Sequence, residues 1–318
     1  MAVDLGKKIN EYFLNDIQNN LDYKSKIMLG EQFASRTRQV LRENGIDESG
    51  PTNSLNSETA EILDHMKQDG FHAFGQVLND IQIDEIIAYF NNCDVYRGHF
   101  VAKGDRIPRG LDDMDGSLNA SYCLKDIIEA PHIIELANNP QILAAASAYL
   151  GCLPSLFSIN VYWSFSGTKI GEQSIHRFHR DKDDFKFCSF FVYLSDCSEN
   201  DGAHQYIRST HRPDLMKKIF AKIDPQGEID QDKFYSSTFD QGDVIYEQLF
   251  KDMFDYLEGK AGDGFIADPW GLHRACPNIK TDRRLIWIRY GLYRNSATDR
   301  IDEPPVPRSR ISGRIEDT

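Results

Sequence analysis

The sequence predicts a mainly β protein with N-terminal α-helices, an α+β chain in which helices come first and cover an antiparallel β core. Three observations point there. Ile9, Phe13, Ile17 and Leu21 recur every four residues and make one apolar helical stripe near the start. After Gly151 the character changes: "SLFSINVYWSF" (155–165), "FKFCSFFVYLS" (185–195) and "RRLIWIRYGLY" (283–293) are rich in β-branched and aromatic residues. Gly, Asp and Asn turns separate these runs, which suits a barrel or sandwich over roughly 155–293.

The elements follow in order. Residues 1–50 read as a helical arm whose second helix stops at Asn44-Gly45. The stretch "IDESGPTNSLNS" (46–57) reads as a linker. Glu58 to Lys67 is a helix capped by Ser57, and "DGFHAFGQV" (69–77) a turn and short strand. Asn79 with Gln82 forms a capping box that opens a helix through Tyr89. Two more helices, over 132–139 and 141–150, are split by Pro140 and closed by Gly151. Within 211–259, "RPDLMKKIFAKI" reads as a helix, and the Pro- and Arg-rich tail (294–318) carries no core pattern.

Composition bounds the function. The net charge of −13 over 318 residues disfavours nucleic acid and anionic membranes, which need basic patches. No apolar run approaches the length that spans a bilayer, so no membrane insertion is expected. "MAVDLGKKINEYFLND" holds no signal-peptide core, which gives a cytoplasmic expectation. Cys93, Cys123, Cys152, Cys188, Cys197 and Cys276 show no CxxC pair and read as free thiols. Nothing in the sequence sets the oligomeric state.

The chemistry concentrates in "SIHRFHRDKDDFKF" and "DPWGLHRACPN". Two histidines and one carboxylate are the ligand set of a non-haem iron(II) centre, holding one face of an octahedral ion and leaving the other open. In an extended segment, residues i and i+2 point to the same side. His179 and Asp181 can therefore share an ion while Arg180 points away, and His273 arrives from far along the chain. His176 competes less well, having no acid two positions on. An HxD alone is near the chance level for nine histidines and 49 acids, so its context carries the weight. Arg284, eleven positions after His273, has a planar guanidinium that matches a carboxylate. Arg283 and Arg284 face opposite ways on a strand, so only one points inward.

"HRDKDDFKFCSFFVYLSDCSENDGAHQYIRSTHR" resembles the central block of the phytanoyl-CoA dioxygenase-like family of iron(II)/2-oxoglutarate oxygenases. "MKQDGFHAFGQVLNDIQIDEIIAYF", "APHIIELANNPQILAAASAYLG" and "GDGFIADPWGLHRACPN" are similar to its other blocks, in the right order over roughly 58–293. The resemblance implies a double-stranded β-helix, a jelly-roll, cupin-like barrel, with an oxygenase domain over 58–293. It implies iron(II), 2-oxoglutarate and dioxygen. It makes His179, Asp181 and His273 the catalytic metal ligands, Arg284 the cation for the cosubstrate's distal carboxylate, and Asn160 a polar cosubstrate contact. The family's Pro-Gly before Ser-His is Arg208-Ser209 here, which changes that turn. Residues 211–259 look longer than in compact relatives, an insertion suited to part of a lid. An intact Asp181 argues against halogenation.

The substrate is less legible. "VYRGHFVAKGDRIPRGLDD" (95–113) gathers Arg97, Lys103, Arg106 and Arg109, which suggests an anionic small molecule: acyl, sugar or secondary metabolite. Trp163, Phe165, Phe178 and Trp270 flank the motifs, and Trp270 joins the substrate candidates. The expected activity is hydroxylation of an unactivated C–H of a small molecule or glycan. The competing readings are a non-catalytic jelly-roll binding module and a protein hydroxylase.

Overall fold

The computed structural model describes residue 21 and residues 23–45, 56–98, 106–107, 119–167, 175–227, 234–235, 243–278 and 280–292. The stripe of Ile9, Phe13 and Ile17, most of the linker, Lys103, Arg109 and the C-terminal tail lie outside these residues.

Helices lead, as expected. Helix α1 (Tyr23–Glu43) ends just before Asn44-Gly45, and α2 (Ser57–Gln68) follows. The cap of α2 is Asn56 rather than Ser57: its side chain accepts from the Thr59 amide, so the helix starts one residue earlier than expected. Strand β1 (Phe71–Gln76) leads to α3 (Asp80–Phe90), whose capping box of Asn79 and Gln82 is present in full. Short strands β2 (Val95–Arg97), β3 (Arg106–Ile107) and β4 (Asn119–Tyr122) precede α4 (Leu124–Glu129), α5 (Ile133–Ala137) and α6 (Pro140–Leu150). Pro140 sits in the first turn of α6, where its missing N–H costs nothing, and Gly151 closes the helix in the left-handed conformation.

The β core comprises β5 (Ser155–Ser164), β6 (Phe187–Tyr193), β7 (His204–Ile207), β8 (Phe254–Leu257), β9 (Asp263–Ala267), β10 (His273–Ala275) and β11 (Arg283–Gly291). Between β7 and β8 stand α7 (Pro213–Ile223) and α8 (Asp243–Leu249). The large antiparallel sheet runs β1-β9-β6-β11-β5-β4-β2-β3, and a small one runs β10-β7-β8. The two are not closed into a barrel by hydrogen bonds. His179 extends the small sheet through a bridge to His273, with reciprocal backbone bonds of 3.0 and 3.1 Å.

Register fixes which side chains share a face. Ile159, Val161, Trp163, Ile286 and Ile288 point to the outer side of the large sheet and pack with Ile62, Ile86, Ile133 and Leu150 of the helices. Tyr162, Leu285, Phe191, Tyr193 and Phe265 point the other way and meet Tyr206 and Leu257 of the small sheet. A third cluster packs Met216 and Phe220 of α7 and Tyr246 of α8 with Phe178, Ile207 and Leu272 beside the small sheet. Both faces of the central strands thus carry buried apolar side chains, each large one worth about 1.5–3 kcal/mol.

Candidate metal centre

The segment leading into β6 and the segment leading into β10 lie side by side, because His179 and His273 form a backbone bridge. That pairing sets the two imidazoles with ring centroids 4.4 Å apart. Asp181, two residues on, reaches the same point: its Oδ1 is 3.7 Å from His179 Nε2 and its Oδ2 is 3.8 Å from His273 Nε2. The Asp181 amide donates to the Pro269 carbonyl at 2.9 Å, tying the two segments together a second time.

The donor chemistry suits a metal ion. His179 Nδ1 donates to the Arg177 carbonyl at 2.8 Å, and His273 Nδ1 to the Gly271 carbonyl at 2.9 Å. A carbonyl only accepts, so the proton sits on Nδ1 in both rings and each Nε2 turns a lone pair toward Asp181. Burial, then the neighbouring His179, pushes the His273 imidazole well below its ordinary pKa, which keeps that lone pair free. One donor atom from each of the three residues lies within 4.8 Å of the others, close enough to hold one ion together. Gly271 is needed here: a Cβ would stand 1.7 Å from the Tyr206 hydroxyl, which itself donates to the Asp268 carbonyl.

Arg180, between the two, is wholly buried and faces the other way. Its guanidinium donates to the carbonyls of Phe234 at 3.1 Å, Thr210 at 2.9 Å and Trp270, and lies over the Phe234 ring at 4.6 Å. His204 stacks on His273 at 5.1 Å and on Phe191 at 5.2 Å without joining the three donors; burial holds it well below the usual imidazole pKa.

Arg283 and Arg284 take opposite faces of β11. Arg284 pairs across the ladder with Trp163 and shares the outer, helix-covered face of β11; its guanidinium lies 3.3 Å from the Trp163 ring centroid. Arg283 takes the inner face. It is buried, donates to Ser164 Oγ at 3.0 Å and to the Gly202 carbonyl, and lies over Tyr162, whose environment includes the Asp181 charge. Arg283, ten positions after His273, therefore shares the inner face with Tyr162, and Arg284 does not. Asn160 does face inward, opposite Trp287, with its Nδ2 donating to Ser158 Oγ at 2.7 Å.

Of the remaining substrate candidates, two lie at a sheet edge and one lies under the metal segment. Arg97 and Arg106 belong to β2 and β3, at the far edge of the large sheet. Arg97 aligns through Ala120 with Trp163, on the outer side, and Arg106 is exposed and engaged with Asp94, its Nε 2.6 Å from Oδ2. Trp270 is buried beneath the metal segment, its Nε1 toward the Asp184 carbonyl and Lys26 over its ring at 4.9 Å. Sequence reasoning missed Asp183 and Arg289, an ion pair on this inner side. The only available signal was two acids just after the HxD.

Residues 66–286 match the phytanoyl-CoA dioxygenase (PhyH) family. The chain belongs to the phytanoyl-CoA dioxygenase family. Iron(II), 2-oxoglutarate and dioxygen are the cofactors this family uses, and the His179, Asp181 and His273 donor set suits the metal. No curated protein matches the chain. Among solved structures it is similar to SnoN, a non-heme alpha-ketoglutarate-dependent epimerase from nogalamycin biosynthesis, at 15% identity and a TM-score of 0.47, covering 74% of this chain and 83% of SnoN. It is also similar to HygX of Streptomyces hygroscopicus, crystallised with nickel and 2-oxoglutarate, at 15% identity and a TM-score of 0.47, covering 73% of this chain and 86% of HygX. The carbocyclase SnoK stands at 14% identity and a TM-score of 0.45, covering 76% of this chain and 87% of SnoK. No helix among the described residues is long and apolar enough to cross a membrane.

Proposed function

We propose that this member of the family is an iron(II)- and 2-oxoglutarate-dependent dioxygenase that hydroxylates an unactivated C–H of a small molecule. The observation that carries the reading is the convergence of His179 Nε2, the Asp181 carboxylate and His273 Nε2, with Arg283 on the facing sheet. When bound, iron(II) supplies dioxygen activation coupled to decarboxylation of 2-oxoglutarate, giving succinate, carbon dioxide and one oxygen atom for the substrate.

The chain's own residues hold and orient. His179, Asp181 and His273 would hold the ion. Their Nδ1–H bonds to Arg177 and Gly271 keep both imidazoles in the ligating tautomer. Arg283 offers its fork to the C5 carboxylate of 2-oxoglutarate, with the Ser164 hydroxyl beside it. Tyr162, Leu285 and Phe191 wall the space between the sheets and exclude water. Asn160 stands on the same inner face as a polar contact.

His179→Ala and Asp181→Ala should each abolish succinate release from 2-oxoglutarate in the iron-loaded protein. Turnover retained in either variant would sink the assignment.

A further inference from the structure

Across β5, β11, β6 and β9 the inner face of the large sheet carries side chains in rows. Ser164 and Arg283 form one end; then come Tyr162, Leu285 and Tyr193; then Asn160, Trp287, Phe191 and Phe265; and last Ser158, Arg289 and Ser189. Arg283 and Arg289 are six residues apart on one face, roughly 20 Å along the strand. They mark two ends of one trough, and Asp183, two residues past Asp181, ties the Arg289 end to the metal segment.

A central strand covered by a second sheet should bury its inner face. Trp287 and its partner Asn160 are nevertheless only partly buried, and the Asp181 and Asp183 side chains keep 21% and 17% of their surface exposed. Solvent therefore reaches the third row and the acids of the metal segment. At the edge of the trough Arg289 is buried, pairs with Asp183, donates to Ser158 Oγ at 2.9 Å and lies 4.2 Å over the Trp287 ring. Next to Arg289 in the register, the hydroxyl of Ser189 is fully buried and has no hydrogen-bond partner among the described residues.

We infer that Trp287, Asn160 and the Arg289–Asp183 pair form the substrate subsite, and that it takes a neutral, hydroxyl-bearing ring compound, a glycoside or cyclic polyol. The inference rests on the iron and 2-oxoglutarate reading above. Asp183 already cancels the charge of Arg289. Iron(II) and the 2-oxoglutarate dianion cancel each other, as do Arg283 and Asp181. A phosphate or carboxylate entering here meets Asp183 or must break a buried ion pair. A hydroxyl both donates and accepts, and the ion pair and the Asn160 amide offer both roles. Trp287 adds an apolar wall for a ring. This differs from the anionic substrate expected from the 95–113 loop.

The test uses the full chain with iron(II) and 2-oxoglutarate, without oxygen. The visible charge-transfer band of that complex comes first. Methyl β-glucoside, myo-inositol and sucrose are then compared with glucose 6-phosphate, glucuronate and an acyl-CoA, reading perturbation of the band and, in air, succinate release. At least one neutral compound should perturb the band and stimulate release tenfold or more over every charged one. Arg289→Met should raise its KM at least tenfold with the band still present, and Asp183→Asn should shift preference toward the charged set. A charged compound that outperforms the neutral ones, or a neutral set without effect on an intact band, overturns the inference. Absence of the band in the wild type overturns the iron and 2-oxoglutarate reading and this inference with it.

Discussion

At the scale of single residues, one position separates the arginine we propose for the cosubstrate from its neighbour. Arg283 pairs with Ser164 on the inner face and Arg284 with Trp163 on the outer one. Arg283→Met should raise the KM for 2-oxoglutarate about 100-fold, the size expected when one partner of a buried charge-assisted contact is lost. Arg284→Met should change that KM less than about twofold and cost ~1 kcal/mol of stability through its lost stacking on Trp163. Succinate release against 2-oxoglutarate concentration reads both, and the opposite ranking would return the role to Arg284. The three donors were legible because extended chain sends i and i+2 to one side, so His179 and Asp181 had to act together. The arginine was not. Alternation says that neighbours face opposite ways, and only an apolar-polar pattern says which way is inward. Strand β11 has no such pattern: Ile286 and Ile288 are buried outward, Leu285 inward.

At the scale of elements, the long periodic segments were legible and the short ones were not. Helices with caps and stops, such as α3 with its Asn79 box and α6 with Pro140 and Gly151, announce themselves by local chemistry. So do the three long strands. Strands β2, β3 and β4 have two to four residues each and exist only because the sheet edge pairs them; no local signal encodes that. Helix α7 was visible, but its attachment to the metal segment was not. That attachment is Arg180, whose guanidinium reaches the carbonyls of Phe234 between α7 and α8, Thr210 before α7 and Trp270 before His273. Arg180→Met strands these buried acceptors, each worth about 1–3 kcal/mol when left unpaired. The variant should lose ~3 kcal/mol in denaturant unfolding, and amide exchange should show α7 losing protection ahead of β6 and β11. Protection of α7 equal to wild type would remove the tether role.

At the scale of the whole molecule, the buried histidines make the metal-free protein sensitive to acid. His273, His204, His211 and His176 are all pushed below the ordinary imidazole pKa, in each case chiefly by burial. The folded chain keeps them neutral, while the unfolded chain takes up protons near pH 6.5. Below that pH the unfolded state binds more protons, so the stability these groups contribute is complete above pH 6.5 and is lost as the pH falls through it. Each such proton steepens the loss by about 1.4 kcal/mol per pH unit. The net charge of −13 acts in the opposite direction, since approach to the pI near 5.1 relieves self-repulsion. Exposed charges are screened within about 8 Å at physiological salt, and buried imidazoles are not, so the histidines should win. The thermal midpoint of the metal-free protein should be flat from pH 8 to 7 and fall steeply between pH 6.5 and 5.5. A midpoint that holds or rises across that window would mean that surface repulsion dominates. Iron(II) binds only the folded chain, so the iron-loaded protein should hold its thermal midpoint to lower pH than the metal-free one, read in the same pH series.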